Sequence, residues 1–71
     1  MRTFLVINKD IGSRIEILEI DIPIEIDSRV TVIDQGKKTR YIVSEIETEI
    51  LKEGKNANIE KYIYLSQIPF N

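Results

Sequence analysis

The chain has 71 residues, a net charge of −2, and neither cysteine nor histidine. A chain of this length predicts one domain, over residues 1–71, whose core is only just large enough for stability. Without those two residue types it cannot form disulfides, Cys/His zinc sites or the His-dependent arrangements that activate a nucleophile, and its mild acidity argues against wholesale binding of nucleic acid or anionic membrane.

The N-terminal third predicts two paired strands. Residues 2–8 contain the apolar run Phe4–Ile7 without alternation, which is typical of a strand covered on both faces. Turn-forming residues follow, and residues 14–20 predict the second strand. The alternation changes phase once, at Ile17-Leu18, which predicts a β-bulge. Residues 21–28 contain Pro23 and are interpreted as an extended connection.

The clearest local signal is a hairpin over residues 30–43. β-Branched and aromatic residues fill both arms, and the turn between them contains Gly36. The loop has either two residues, Gln35 and Gly36, or four, residues 35–38, and both lengths keep the same pairing parity. In this hairpin Val30 and Val32 share a face with Tyr41 and Val43, and that face is the predicted core.

Residues 44–53 fit two structures. Ser44 and Glu47 form a capping box, and Gly54 stands where a helix would end, so a helix over about 44–53 is one interpretation. Glutamates nevertheless alternate with Ile46, Thr48 and Ile50, which favours a strand. We prefer the strand because a turn and a further strand over residues 58–65 follow it. The predicted inward phase then changes after Val43, which requires a bulge near Ser44.

Five short strands with a bent fourth strand predict an all-β fold that resembles a small SH3-like meander barrel in architecture alone. In the last strand Ile59, Ile63 and Leu65 share one face, so Tyr62 and Tyr64 are expected to stand outward on the other.

Two surfaces are candidate binding sites. The first is a basic hairpin tip, and the second is the pair of tyrosines, whose rings could stack on bases or hold a peptide. Solvated charge at a turn and ordinary cross-strand packing are the simpler explanations for each. The candidate binding residues are Arg29, Lys37, Lys38, Arg40, Tyr62 and Tyr64.

The composition and these surfaces predict a non-enzymatic binding or adaptor module of bacterial or phage type, with a protein partner. A nucleic-acid-binding barrel that uses Lys37, Lys38, Arg40, Tyr62 and Tyr64 is the alternative. Isoleucines on both faces of several strands exceed what one small barrel buries, and a homodimer would cover the surplus. We predict no catalytic residue, metal ligand or cofactor, no membrane contact, and a cytoplasmic location, since the run Phe4–Ile7 is too short for a signal peptide or a membrane span.

Overall fold

The computed structural model describes residues 1–18 and 24–69 and consists mainly of five β-strands. They are β1 (Arg2–Ile7), β2 (Ile15–Ile17), β3 (Arg29–Asp34), β4 (Lys37–Glu53) and β5 (Asn56–Gln67), with a 3-10 turn at Ile11–Ser13 between β1 and β2. The predicted all-β class with five strands is therefore confirmed. The alternative of a helix over residues 44–53 is wrong, because these residues continue β4 and pair with β5.

The strands form one mixed sheet in the order β2-β1-β5-β4-β3, which curls into a half-barrel. Every neighbouring pair is antiparallel except β1 and β5, which are parallel. The parallel pair follows from the strand directions. When successive strands along the chain alternate in direction, β1 and β5 run the same way, and they are parallel where they meet. Within the described residues β2 and β3 do not pair, so the cyclic order is open at that point.

The central hairpin has the predicted structure. Val30 lies opposite Tyr41, and the loop is the two-residue turn Gln35-Gly36. Both turn residues have positive φ, 49° and 80°, as a type I′ turn requires. Glycine at the second position meets this requirement without strain.

The bend in β4 also lies where the sequence predicts it. The register between β4 and β5 shifts between Val43 and Glu45, so Ser44 is the extra residue of a β-bulge. The Ser44 hydroxyl donates a hydrogen bond of 3.3 Å to the carbonyl oxygen of Tyr64. Because of the bulge, both Val43 and Ile46 face the core although they are three positions apart in the chain.

The main core lies on the inner face of the curled sheet. Its fully or nearly buried members are Tyr41, Val43, Ile63 and Leu65, and partly buried aliphatic side chains pack around them: Leu5, Ile7, Ile24, Val30, Val32 and Ile46. Isoleucine and valine suit these positions because branching at Cβ fits a pleated surface.

The second strand differs from its prediction. β2 has only three residues and ends at Ile17, so the phase change at Ile17-Leu18 marks the end of the strand and not a bulge. Leu18, directly after it, is 89% exposed. The remainder of the predicted strand, residues 19–20, and the first part of the predicted connection, residues 21–23, lie outside the described residues.

Candidate functional site

Lys37 and Lys38 follow the turn between β3 and β4 and form the basic hairpin tip, whereas Arg29 lies at the other end of β3. Arg29, Lys37 and Lys38 are exposed, and Arg40 is half-buried. Arg29 lies opposite Ile42, Lys38 opposite Ile33, and Arg40 opposite Thr31. These cations alternate with the core-facing residues of their strands, so Arg29, Lys38 and Arg40 share the outer face of the sheet.

The two tyrosines are not the exposed pair that was expected. Tyr62 is only 5% exposed, and Tyr64 is half-buried against it. β1 runs beside β5 and brings Phe4 and Val6 onto the same outer face, where the rings of Phe4 and Tyr62 stack with centroids 5.3 Å apart. The expectation that both rings stand free in solvent is therefore wrong, because a parallel neighbour covers them.

The tip and the tyrosines do not form one surface. Tyr64 lies opposite Glu45, on the far side of the Ser44 bulge from Lys38. Between Lys38 and Glu45 the strand extends roughly 20 Å, at about 3.3 Å per residue.

A row of carboxylates lies beside the tyrosines. We call Glu45, Glu47 and Glu49 the acidic row; they face outward from β4 and lie opposite Tyr64, Tyr62 and Glu60 of β5. Burial is the largest cause that raises the pKa of the Tyr64 hydroxyl above its ordinary value, and the acidic row raises it further. The outer face is thus basic before the Ser44 bulge and acidic after it.

The aromatic cluster is closed on its other side by a charged network. Arg2 donates hydrogen bonds from Nε and Nη2 to the two carboxylate oxygens of Glu16, at 2.9 and 3.3 Å, and its Nη1 lies 3.7 Å from Glu60. The Tyr62 hydroxyl donates to Glu60 Oε1 at 3.0 Å. The guanidinium group of Arg2 also lies 5.0 Å from the centre of the Phe4 ring.

Arg2 is the shared cation of this network and pairs with both Glu16 and Glu60. The hydrogen bond to Arg2 lowers the pKa of the Glu16 carboxyl, and burial followed by the hydrogen bond to Glu60 raises that of the Tyr62 hydroxyl. Arg2, Glu16 and Tyr62 therefore stabilise the packing of β1, β2 and β5.

The feature that sequence reasoning missed is an unpaired side of β4. β3 accompanies β4 as far as Ile42, and Asp27 and Ser28 complete the pairing by two hydrogen bonds of 2.9 Å to Val43. Beyond this point, no strand within residues 1–18 and 24–69 pairs with the side of β4 that faces away from β5. We call this side, from Ser44 to Glu53, the open edge.

The direction of the backbone groups along the open edge follows from Val43. Val43 faces the core, and its N–H and C=O point toward β3. In one strand, residues that face the same side of the sheet direct their backbone groups to the same neighbour. After the bulge the core-facing residues are Ile46, Thr48 and Ile50, so their N–H and C=O groups point to the open edge. The residues of the acidic row direct theirs to β5.

The end of the β4–β5 hairpin extends past the rest of the sheet. β1 begins opposite Glu60, so residues 50–59 form a two-stranded arm. Ile50 and Ile59 lie opposite each other there and are 67% and 44% exposed, and Leu51 is 47% exposed. A two-stranded hairpin with an uncovered apolar pair is marginal alone, so the arm depends for its stability on the sheet from which it extends.

A shallow open depression of about 370 Å³ lies at the base of the arm. The residues that line it are Met1, Arg2, Leu51, Asn58, Ile59 and Glu60. In the described part of the chain, no three acidic side chains are grouped so that they could hold a metal ion, and no helix has the length and apolarity of a membrane span.

No family model, curated protein or solved structure matches this chain. The class that the fold defines is a small, all-β half-barrel domain, and the open edge is its most distinctive surface.

Proposed function

We propose that this protein is a non-enzymatic binding module that takes an extended segment of a protein partner on the open edge of β4. The observation that carries this proposal is the unpaired backbone of Ile46, Thr48 and Ile50, since exposed N–H and C=O groups in a row are a template for an added strand.

The side chains along the open edge restrict the partner. On the outer face, the acidic row favours lysine or arginine at alternate positions of the added strand. On the inner face, Ile46 is half-buried and Ile50 is exposed, so the intervening positions favour aliphatic residues. The partner is therefore an extended segment in which cationic and β-branched residues alternate.

The test is an amide-resolved NMR titration with a synthetic peptide of alternating valine and lysine. The matched control is the same peptide with glutamate in place of each lysine. We expect shifts confined to residues 44–53 for the lysine peptide and none for the glutamate peptide. Equal shifts for both peptides, or shifts elsewhere in the sheet, would contradict the proposal.

Nucleic-acid binding is the second candidate, and the observation in its favour is the shared outer face of Arg29, Lys38 and Arg40. The surroundings of the tyrosines oppose it, since carboxylates and not cations lie beside Tyr62 and Tyr64. Shifts at Arg29 and Lys38 on titration with mixed short DNA and RNA, present at low salt and lost at physiological salt, would support this candidate. The cytoplasmic location, the bacterial or phage origin and the SH3-like resemblance stay predictions.

A further inference from the structure

The outer edge of β3 has one cation, Arg29, together with apolar residues and backbone directions that suit the open edge of β4. We propose that the partner of the open edge is a second copy of this chain, which adds its β3 there. This inference rests on the proposed function, because it names the partner of that same site.

The charges are complementary. The acidic row lies on the outer face after the Ser44 bulge, whereas Arg29 and Lys38 lie on the outer face of β3 and the start of β4. An added β3 strand brings Arg29 next to the acidic row and places Lys38 one strand further away. Opposite charges at neighbouring positions of a sheet attract, and both of these cations are exposed.

The apolar residues are complementary as well. When Arg29 lies beside Glu47 in a parallel pair, Ile33 lies beside Leu51, and these two side chains are 63% and 47% exposed in the single chain. On the inner face the same register brings Val32 beside Ile50. The added strand thus covers part of the apolar surface that one chain leaves in solvent.

The hydrogen-bond directions require a parallel pair. Val30 faces the core and lies opposite Tyr41, so the outward residues Arg29, Thr31 and Ile33 direct their N–H and C=O away from β4. In a parallel pair, a residue whose backbone groups point at the partner strand lies opposite one whose groups point away. Arg29 beside Glu47 satisfies this rule, since the N–H and C=O of Arg29 then meet the C=O of Ile46 and the N–H of Thr48.

Two-fold symmetry produces this parallel pair without further assumptions. A two-fold axis perpendicular to the sheet makes the β4 strands of the two copies antiparallel. Because β3 is antiparallel to its own β4, it is parallel to the β4 of the other copy. Each copy then gives one β3 edge and receives another, so both contacts close in a dimer.

Pairing of two open edges with each other is unfavourable. It would place the acidic row of one copy beside the acidic row of the other, and like charges at neighbouring positions destabilise a sheet. The β3 strand is the better partner because it brings cations to the same face.

The experiment measures the molar mass in solution by light scattering, from low micromolar to millimolar concentration, for the wild type and three charge variants. We expect the wild type to rise from the 8.3 kDa monomer to twice that mass. Arg29→Glu and Glu47→Lys should each weaken the dimer by about tenfold or more, because an attractive contact becomes repulsive at both symmetric positions. The double variant Arg29→Glu/Glu47→Lys should restore dimerisation.

Asp10→Lys is the control, since Asp10 is exposed in the turn after β1, far from β3 in the strand order, and caps no helix with its side chain. It should dimerise as the wild type does. A wild type that stays monomeric at millimolar concentration, single variants that dimerise normally, or a double variant that is not rescued would each overturn the inference. If the protein is a monomer and binds the lysine peptide, self-association is wrong and the proposed function is unaffected. If it forms a charge-dependent dimer and does not bind the peptide, only its function as a receptor for other proteins is contradicted.

Discussion

Two isoleucines on the inner face of β5 and β4 should differ sharply in their contribution to stability. Ile63 has no exposed surface and lies between Leu5 of β1 and Ile46 of β4, whereas Ile50, in the arm, is 67% exposed. Replacement of each by alanine removes the same atoms from the same kind of strand. The pair therefore separates burial from β-propensity.

The magnitudes follow from burial. Ile63→Ala removes carbon atoms worth about 0.8 kcal/mol each and leaves a cavity, for a total loss of about 2–5 kcal/mol. For 71 residues the whole free energy of unfolding is roughly 4–11 kcal/mol, so this variant should lose a large part of it. Ile50→Ala should change the unfolding free energy of the monomer by only about 0.5 kcal/mol.

The assay is urea unfolding, followed by far-ultraviolet circular dichroism at low micromolar concentration so that the monomer dominates. Ile63→Val, which removes one methyl group, should cost about 0.5–1.5 kcal/mol and calibrates the series. If Ile50→Ala costs as much as Ile63→Ala under these conditions, the arm is covered within a single chain, and the reasoning about the open edge is wrong.

Further predictions concern the turn, the tyrosines and the open edge. Gly36→Ala should lower the unfolding free energy by about 1–2 kcal/mol, because Gly36 has φ of 80° and no atom near its Cα would clash with a methyl group, so the cost is backbone strain alone. In an absorbance titration, Tyr62 and Tyr64 should ionise above pH 10, since burial raises both pKa values. The unfolded chain releases these protons at lower pH than the folded chain, so the free energy of unfolding should fall as the pH rises above 10. Tyr62→Phe should reduce that fall. Thr48→Pro removes an N–H that points to the open edge, so it should abolish dimerisation and peptide binding and leave the fold intact. Glu47→Pro removes an N–H that bonds to β5, so this variant should unfold at a lower urea concentration. Equal effects of the two proline variants on stability would contradict the assigned backbone directions.

The parts of the fold that depend on local alternation were predictable. The hairpin at residues 30–43 and the bulge at Ser44 follow from which residues alternate and where the phase changes, whereas alternation does not distinguish the observed two-residue loop from a four-residue loop. The phase change at Ile17-Leu18 has the same appearance in the sequence but a different cause. There the strand simply ends, because β2 pairs with only three residues of β1 at the edge of the sheet.

The parts that depend on strand order were not predictable in this way. Tyr62 is buried because β1 runs parallel to β5 and brings Phe4 against it, and this contact joins residues far apart in the chain. The basic tip was found because its charges are adjacent in sequence. The open edge was missed, although the unequal lengths of the two strands are a signal for it. β3 pairs with β4 only over Lys37–Ile42, whereas β4 continues to Glu53. One side of β4 beyond Ile42 is therefore unpaired unless another strand covers it.

The most direct test of the open edge is amide hydrogen exchange, residue by residue, in the wild type at millimolar concentration and in the monomeric Arg29→Glu variant. The N–H groups of Thr48 and Ile50 should exchange slowly in the associated wild type and quickly in the variant, because the C=O groups of Arg29 and Thr31 accept from them in the dimer. The N–H groups of the acidic row, which already bond to β5, should be equally protected in both. Addition of the lysine peptide to the variant should slow the same two amides. Exchange at Thr48 and Ile50 that is equally slow in the dilute monomer without peptide would show that the edge is already paired, and would contradict the account.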